Sequence, residues 1–421
     1  MIMHVPKHLN NCEAIQKKRD AQTAFALCAV FFIPAINNFV NALLQIGLGL
    51  KISFLTPVSY IFMAFVSGFF LYKLIIRRIG FMLMFCLAFF GSVLSYTLYP
   101  EIRDLIYGSP VDLVYSPINK LMFYCVPVLM GTACIRDYEK LFSKMRNWSL
   151  ITAMTGVITF LVVIVIKGRM LQYMTYSYFM LLPICVCYEN ANMTKNKVDL
   201  IVAILASVSI VMCGARGALV SLFLYFVLSL LRYDFRKMPV GQFVKLAIIF
   251  LLLLSLILFY SELLESVAQT LEQFNIDSRT IRYIQEGRFW EDSGRSNINE
   301  ALMEGLIDNP LGYGLYGDRY IARIFGSMNY RYAHNIFLEM FCNFGFVIGS
   351  IVIAFVVYFI VRLVRSTKGT NEIYLVFSII PYGLFQLFFS SSYLENILFW
   401  ALMGLSVGRN KNHDTVNGEK L

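Results

Sequence analysis

The chain has 421 residues, of which 58% are hydrophobic, 15% aromatic and only 15% charged, and its formal charge is +10. A soluble domain carries roughly 25% charged residues to wet its surface. This composition, with a mean hydropathy of +0.65, therefore reads as an all-α polytopic membrane protein, and it sets aside disorder, nucleic-acid binding and a secreted disulfide scaffold. Nine cysteines occur, at 12, 28, 86, 125, 134, 185, 187, 213 and 342, and all but Cys12 lie in or beside apolar runs. They read as small buried hydrophobes. Cys185 and Cys187 are too close for a paired zinc motif, so no metal is expected.

A helix needs about 20 mostly apolar residues to cross the hydrocarbon. Runs near that length fall at 24–46, 53–73, 79–99, 119–135, 148–166, 174–190, 198–213, 217–231, 242–261, 335–361, 372–389 and 393–408. About twelve spans are thus predicted. The first run leads directly into further apolar runs, so no cleavable signal is expected. An even count puts both termini on one side. With that side cytoplasmic, the inner segments hold 23 Lys and Arg, the short outer loops hold 6, and the remaining 7 lie in one long loop. Short-loop basic residues favour the inside, so both ends are predicted cytoplasmic, with anionic lipid headgroups as neighbours of the inner charges. The expected organisation is nine membrane helices over 1–261, a large periplasmic loop over 262–333 and three further helices over 334–421.

That loop is far longer than a structureless connection tends to be. Leu264, Val267, Leu271 and Phe274 recur at helical spacing and predict an amphipathic helix on the membrane surface. A second helix is predicted from Ser296, a good N-cap, to Ile307, stopped by Asn309–Pro310. The run Leu311-Gly312-Tyr313-Gly314-Leu315-Tyr316-Gly317 allows tight turns and close approach to a ligand.

Of four histidines, His4, His8 and His413 lie at the termini, and His334 alone stands at the outer mouth of a predicted span. Imidazole is the side chain suited to proton transfer near neutral pH. The loop carries Arg279, Arg282, Arg288, Arg295, Arg319, Arg323 and Arg331 and no lysine. Guanidinium matches phosphate oxygens in bidentate fashion, whereas ammonium is a point charge. Eleven acids in the same loop are expected to pair with several of these arginines, leaving two to four to face a ligand. Arg216, in Cys213-Gly214-Ala215-Arg216-Gly217-Ala218 between two apolar runs, is an ionisable residue near membrane depth and is read as functional. Together these residues predict an outward-facing cavity for a phosphate or pyrophosphate head whose tail lies in lipid.

Four stretches resemble the bacterial O-antigen polymerase and O-antigen ligase superfamily: Gly214-Ala215-Arg216-Gly217-Ala218-Leu219, Ser293-Gly294-Arg295, Asn309-Pro310-Leu311-Gly312-Tyr313-Gly314, and His334-Asn335-Ile336-Phe337-Leu338-Glu339 followed by Gly345. The resemblance spans roughly residues 198–361. It implies an all-helical (GT-C-like) inner-membrane glycosyltransferase that uses an undecaprenyl-pyrophosphate-linked oligosaccharide, without metal or other cofactor, and inverts the sugar. It implies His334 as the base and Arg216 and Arg295 as pyrophosphate contacts, with Arg319 or Arg323 as a third and Arg169 as a further member. Asn335, Glu339, Gly312 and Gly314 are supporting positions, and a chain-length regulator is an implied partner beside membrane lipids.

The compact His-Asn-Ile-Phe-Leu-Glu form and the Gly-Ala-Arg-Gly-Ala turn resemble polymerases, which take a second lipid-linked repeat unit as acceptor. A ligase, which takes the lipid A core, is the alternative within the superfamily. A lipid-linked oligosaccharide flippase is the alternative from another class, but such transporters place charges near the midplane of repeated halves, and here they gather at one interface. For the orientation, thiol labelling of Asn275→Cys and Asn410→Cys in intact cells should mark 275 as outside and 410 as inside. The opposite pattern overturns the predicted topology.

Overall fold

A computed structural model describes residues 7–47, 49, 55–75, 79–107, 116–167, 173–213, 215–230, 295–326 and 332–418. The helices are α1 (Lys7–Ala42), α2 (Leu55–Ile75), α3 (Ile79–Leu98), α4 (Val126–Cys134), α5 (Tyr138–Lys167), α6 (Tyr173–Thr194), α7 (Lys197–Cys213) and α8 (Arg216–Leu230), followed by α9 (Arg295–Asp308), α10 (Gly317–Ile324), α11 (Ile336–Thr367), α12 (Glu372–Gly383) and α13 (Ile397–Gly418). No strand occurs among the described residues. In lipid every backbone polar group must be satisfied within the protein, and helices do this segment by segment.

Three helices are long and apolar enough to cross a bilayer alone: Gln16–Ile46, Tyr138–Ile166 and Ile336–Thr367. Met82–Leu98 with Pro100–Ile106, bent by 106°, makes a fourth if the pair is one broken span. The run predicted at 119–135 is helical over Pro117–Cys134, passing from Pro117–Lys120 through a π-turn at Leu121–Cys125 into α4 with right-handed helical dihedrals at both junctions. The run at 242–261 and the amphipathic helix around 264–274 lie outside the described residues.

The chain divides into two compact units, one of Met1–Pro34, Phe54–Trp148 and Gly294–Leu421, the other of Ala35–Ser53 and Ser149–Ser293. In the second unit α6 packs along α7 and against α8. Buried Tyr176 donates to Ser209 Oγ at 2.8 Å, and buried Tyr225 donates to Glu189 Oε1 at 2.7 Å.

The first unit contains the described part of the loop predicted over 262–333. Ile298, Leu302 and Leu306 recur every fourth residue on α9 and bury one stripe against Ile321 and Ala322 of α10 and Cys342 of α11. Burying each large side chain contributes about 1.5–3 kcal/mol, enough to fix these three elements as one body. The predicted stop at Asn309–Pro310 is where α9 ends.

Immediately after α9 the chain meets a break in α11. Gly345 has φ 73° and ψ 176°, so the helix is interrupted there and the carbonyls of the preceding turn lose their intrahelical donors. The loop supplies new ones. Tyr313 N–H donates to the Cys342 carbonyl at 2.8 Å, Gly314 N–H to the Asn343 carbonyl at 3.0 Å, and Phe346 N–H to the Pro310 carbonyl at 3.0 Å. Gly317 N–H adds a bond to Asn343 Oδ1 at 3.0 Å. The two backbones touch: a Cβ on Gly312 would overlap the Gly345 nitrogen, and one on Gly345 would overlap Leu311 and Pro310.

Gly345→Ala should therefore lower the apparent Tm of the detergent-purified protein by far more than Gly369→Ala. Both residues have positive φ, but Gly369 has nothing within 4 Å of where its Cβ would be. A positive φ costs each variant about 1–3 kcal/mol, and overpacking adds about 1–3 kcal/mol at 345 alone. Equal losses would refute the docking account.

Candidate functional site

His334 is the residue two before α11, and its backbone is left-handed at φ 56°. Non-glycine residues rarely sit there, although His is among the tolerated types. Two contacts fix it. Ala333 N–H donates to Asp318 Oδ2 at 3.1 Å, and Asn335 caps α11, its Oδ1 accepting from Phe337 N–H at 2.9 Å and Leu338 N–H at 3.4 Å. Asn335 is thus an N-cap, a role worth about 1 kcal/mol.

The imidazole packs edge-on against Tyr332 with ring centroids 4.5 Å apart. It hydrogen-bonds the Phe389 backbone, and Nδ1 has no hydrogen-bond partner among the described residues. The ring N–H therefore lies on Nε2 and the lone pair on Nδ1. Burial disfavours the charged ring, and the Arg295 guanidinium disfavours it further. These effects outweigh the Phe389 bond, and the pKa is pushed down from 6.5 to about 4. At neutral pH this is a neutral base beside a cation, able to take a proton from a hydroxyl while the guanidinium faces an anion.

Arg295 is the first residue of α9 and is held by the apolar stripe just described. Arg216 is the first residue of α8, in the second unit, with a half-buried side chain. Arg169 lies outside the described residues, as do Arg279, Arg282, Arg288 and Arg331.

Arg319 and Arg323 depart from expectation. Arg319 is 1% exposed, and its Nη2 donates to Glu395 Oε1 at 2.6 Å while the guanidinium lies 4.7 Å from the Tyr316 ring centroid. Asp318 Oδ1 is 3.8 Å from its Nη1, and Lys120 Nζ takes the other Glu395 oxygen at 2.8 Å. Burial opposes the Arg319 charge, but the Asp318, Glu395 and Glu339 carboxylates more than offset it. Asp318, enclosed beside them, has its pKa raised because burial outweighs Arg319 and two backbone N–H bonds. Arg323 forks onto Asp104, Nη1 to Oδ1 at 2.6 Å and Nη2 to Oδ2 at 3.4 Å, and also reaches the Glu101 carbonyl. That hydrogen bond is the chief reason the Asp104 pKa is lowered. A third ligand-facing guanidinium thus gives way to two pairs internal to the protein, and the partner acids, Glu395 and Asp104, lie outside the long loop.

The other supporting positions are also internal. Gly312 and Gly314 approach the backbone of α11 instead of a ligand. Glu339 is fully buried and accepts from Ser392 Oγ and from Tyr393 N–H at 3.2 Å. Sequence reasoning passed over Glu395 and Lys120. The available signal was an acid inside the apolar run 393–408, which at membrane depth demands a cation.

Residues 201–353 match the family described as O-Antigen ligase, a range that holds Arg216, Arg295, the 309–314 turn, His334 and Gly345. The ComP-specific O-oligosaccharyltransferase of Acinetobacter baylyi is 24% identical over 224 residues, covering 51% of this chain and 38% of that protein. The chain thus spans less than two-fifths of the relative's length. No solved structure matches. The family's range falls on the four resembling stretches and holds both His334 and Arg295, so residues 201–353 are similar to the O-antigen ligase and polymerase superfamily.

Proposed function

We propose that this protein is a glycosyltransferase of the bacterial inner membrane, with twelve spans and both termini in the cytoplasm, that polymerises an O-antigen-type surface polysaccharide at the periplasmic face. The donor is a glycan on undecaprenyl pyrophosphate and the acceptor is a hydroxyl of a second lipid-linked repeat unit. The observation that carries this reading is the neutral His334 ring with the Arg295 guanidinium beside it.

The acceptor oxygen attacks the anomeric carbon, and its proton passes to His334 Nδ1. The bond from that carbon to pyrophosphate breaks with its electron pair on the departing oxygen. Arg295 faces the charge that accumulates there, which stabilises the transition state more than the ground state, and the family resemblance assigns Arg216 to the same pyrophosphate. A single displacement of this kind inverts the anomeric centre. No cofactor takes part in these steps, and a chain-length regulator is the expected protein partner.

The ligase reading is favoured by a specific observation: the matched family is described as O-Antigen ligase, and the relative is named for transfer of an oligosaccharide. The same residues would serve, with lipid A core as acceptor. Deleting the gene and separating surface polysaccharide on a gel tells the readings apart. Loss of a polymerase leaves one repeat unit on the core. Loss of a ligase leaves bare core with polymer still on the carrier, and loss of a flippase leaves neither.

In the deletion strain, His334→Ala and Arg216→Ala should give no polymer at normal protein level in the membrane, and Arg295→Lys should lose most of it. Normal chain length from the His334 variant removes the base assignment. The pH profile supplies a second check. His334 must be neutral to accept a proton, so activity is lost as pH falls through its pKa. The acid limb of kcat/KM should lie well below 6.5, towards about 4. Bound pyrophosphate neutralises Arg295 and removes one of the effects that lower the pKa, so the limb of kcat should lie at higher pH. A single limb near 6.5 in both would refute this electrostatic assignment.

A further inference from the structure

α9 presents three kinds of surface. Ile298, Leu302 and Leu306 face protein, and Glu300 and Glu304 are exposed acids spaced four apart. Between them runs a second apolar rim: Met303 is 40% exposed and Ile307, one turn later, is 72% exposed. Leu311, four residues further and just beyond the helix, continues it at 82%. A buried stripe is explained by packing, and acids by water. An apolar rim between the two, on a helix that already has its core contact, matches the pattern of an interfacial helix.

The height of this rim relative to the membrane follows from α11. Phe346 N–H bonds the Pro310 carbonyl at 3.0 Å, which sets Leu311 beside the break in that helix. Directly below the break, α11 turns apolar side chains outward, with Val347 at 73%, Ile348 at 57% and Ile351 at 50% exposure. Its next arginines are Arg362 and Arg365. At 1.5 Å per residue, Phe346 stands about 24–29 Å from them, close to the ~30 Å thickness of the hydrocarbon. The break, and Leu311 with it, therefore stands at the outer edge of the hydrocarbon.

We propose that Met303, Ile307 and Leu311 insert among the acyl chains of the outer leaflet, continuing the lipid-facing surface of α11, while Glu300 and Glu304 stay in water. The occupant of the patch is phospholipid acyl chain. This anchor holds α9, and with it Arg295 at its first turn, against the membrane surface. It stands on exposure and backbone geometry alone, and it survives or fails independently of the reaction assigned above.

The test uses full-length protein bearing Leu311→Cys or Glu304→Cys, labelled with bimane and reconstituted in phosphatidylcholine–phosphatidylglycerol vesicles, with signal from the labelled parent subtracted. Acyl chains brominated near the glycerol should quench the probe at 311 about twofold or more over that at 304, and aqueous iodide should quench in the opposite order. Equal iodide quenching at both positions would place Leu311 in water and overturn the proposal. Protection of the 311 probe from both quenchers would mean that protein covers it, and would overturn it equally. Polymer production by the same variants reports separately on glycan transfer.

Discussion

The arrangement around His334 depends on backbone hydrogen bonds that α11 cannot make for itself. Gly345 interrupts the helix, and an unpaired buried carbonyl there costs as much as a lost hydrogen bond or more. The loop at 310–314 supplies the donors, but only if two backbones come into direct contact, which requires glycine at both 312 and 345. This exchange couples the segment that carries α9 and α10 to α11 mainly through backbone groups. Once it forms, α9 and α10 are positioned over the first turns of α11, and the ends that carry Arg295 and His334 are positioned with them.

The buried charges perform a second task. Glu395 is shared by Arg319 and Lys120, and Asp318 and Glu339 lie beside them, three carboxylates to two cations. Such clusters rarely add net stability over an apolar replacement, but removing one member costs about 3–5 kcal/mol because it strands the others. What this cluster contributes is geometry: Glu395 draws the segment before α13 onto α10, and Asp318 bonds the backbone of Ala333, next to His334. Loss of activity on replacing Arg319 would therefore report a displaced imidazole and not a missing phosphate contact.

The sequence made the helical, membrane character legible because composition and run length are summed over many residues, and α9 with its stop at Asn309–Pro310 because periodicity and capping are local. It also singled out His334 and the loop's arginines as a set, since one imidazole and arginine without lysine are unusual residue choices, while Arg295 and Arg216 were assigned roles by the family resemblance. What stayed hidden was non-local. Nothing in the order of residues says that Arg319 meets an acid 76 positions later, or that Arg323 meets one 219 positions earlier. The glycines at 312 and 314 were recognised as sites of close approach, yet a sequence cannot say whether backbone or ligand does the approaching.

Arginine content is therefore a weak guide to ligand contact unless burial is considered beside it. Arg319 is sealed and carries its own counter-charges. Arg323 shares its fork with Asp104 at the surface. Arg295 differs in the effect it has: it lowers the basicity of the one histidine at this face. A guanidinium that only balanced charge would have no reason to stand beside a base it weakens. Added to the burial that already disfavours the charged ring, it lowers the imidazole's affinity for a proton further, and an anion that neutralised it would restore only that second part. On the proposed reading, donor binding and activation of the base would then be coupled electrostatically, through two side chains carried on the body that the 310–345 contact assembles.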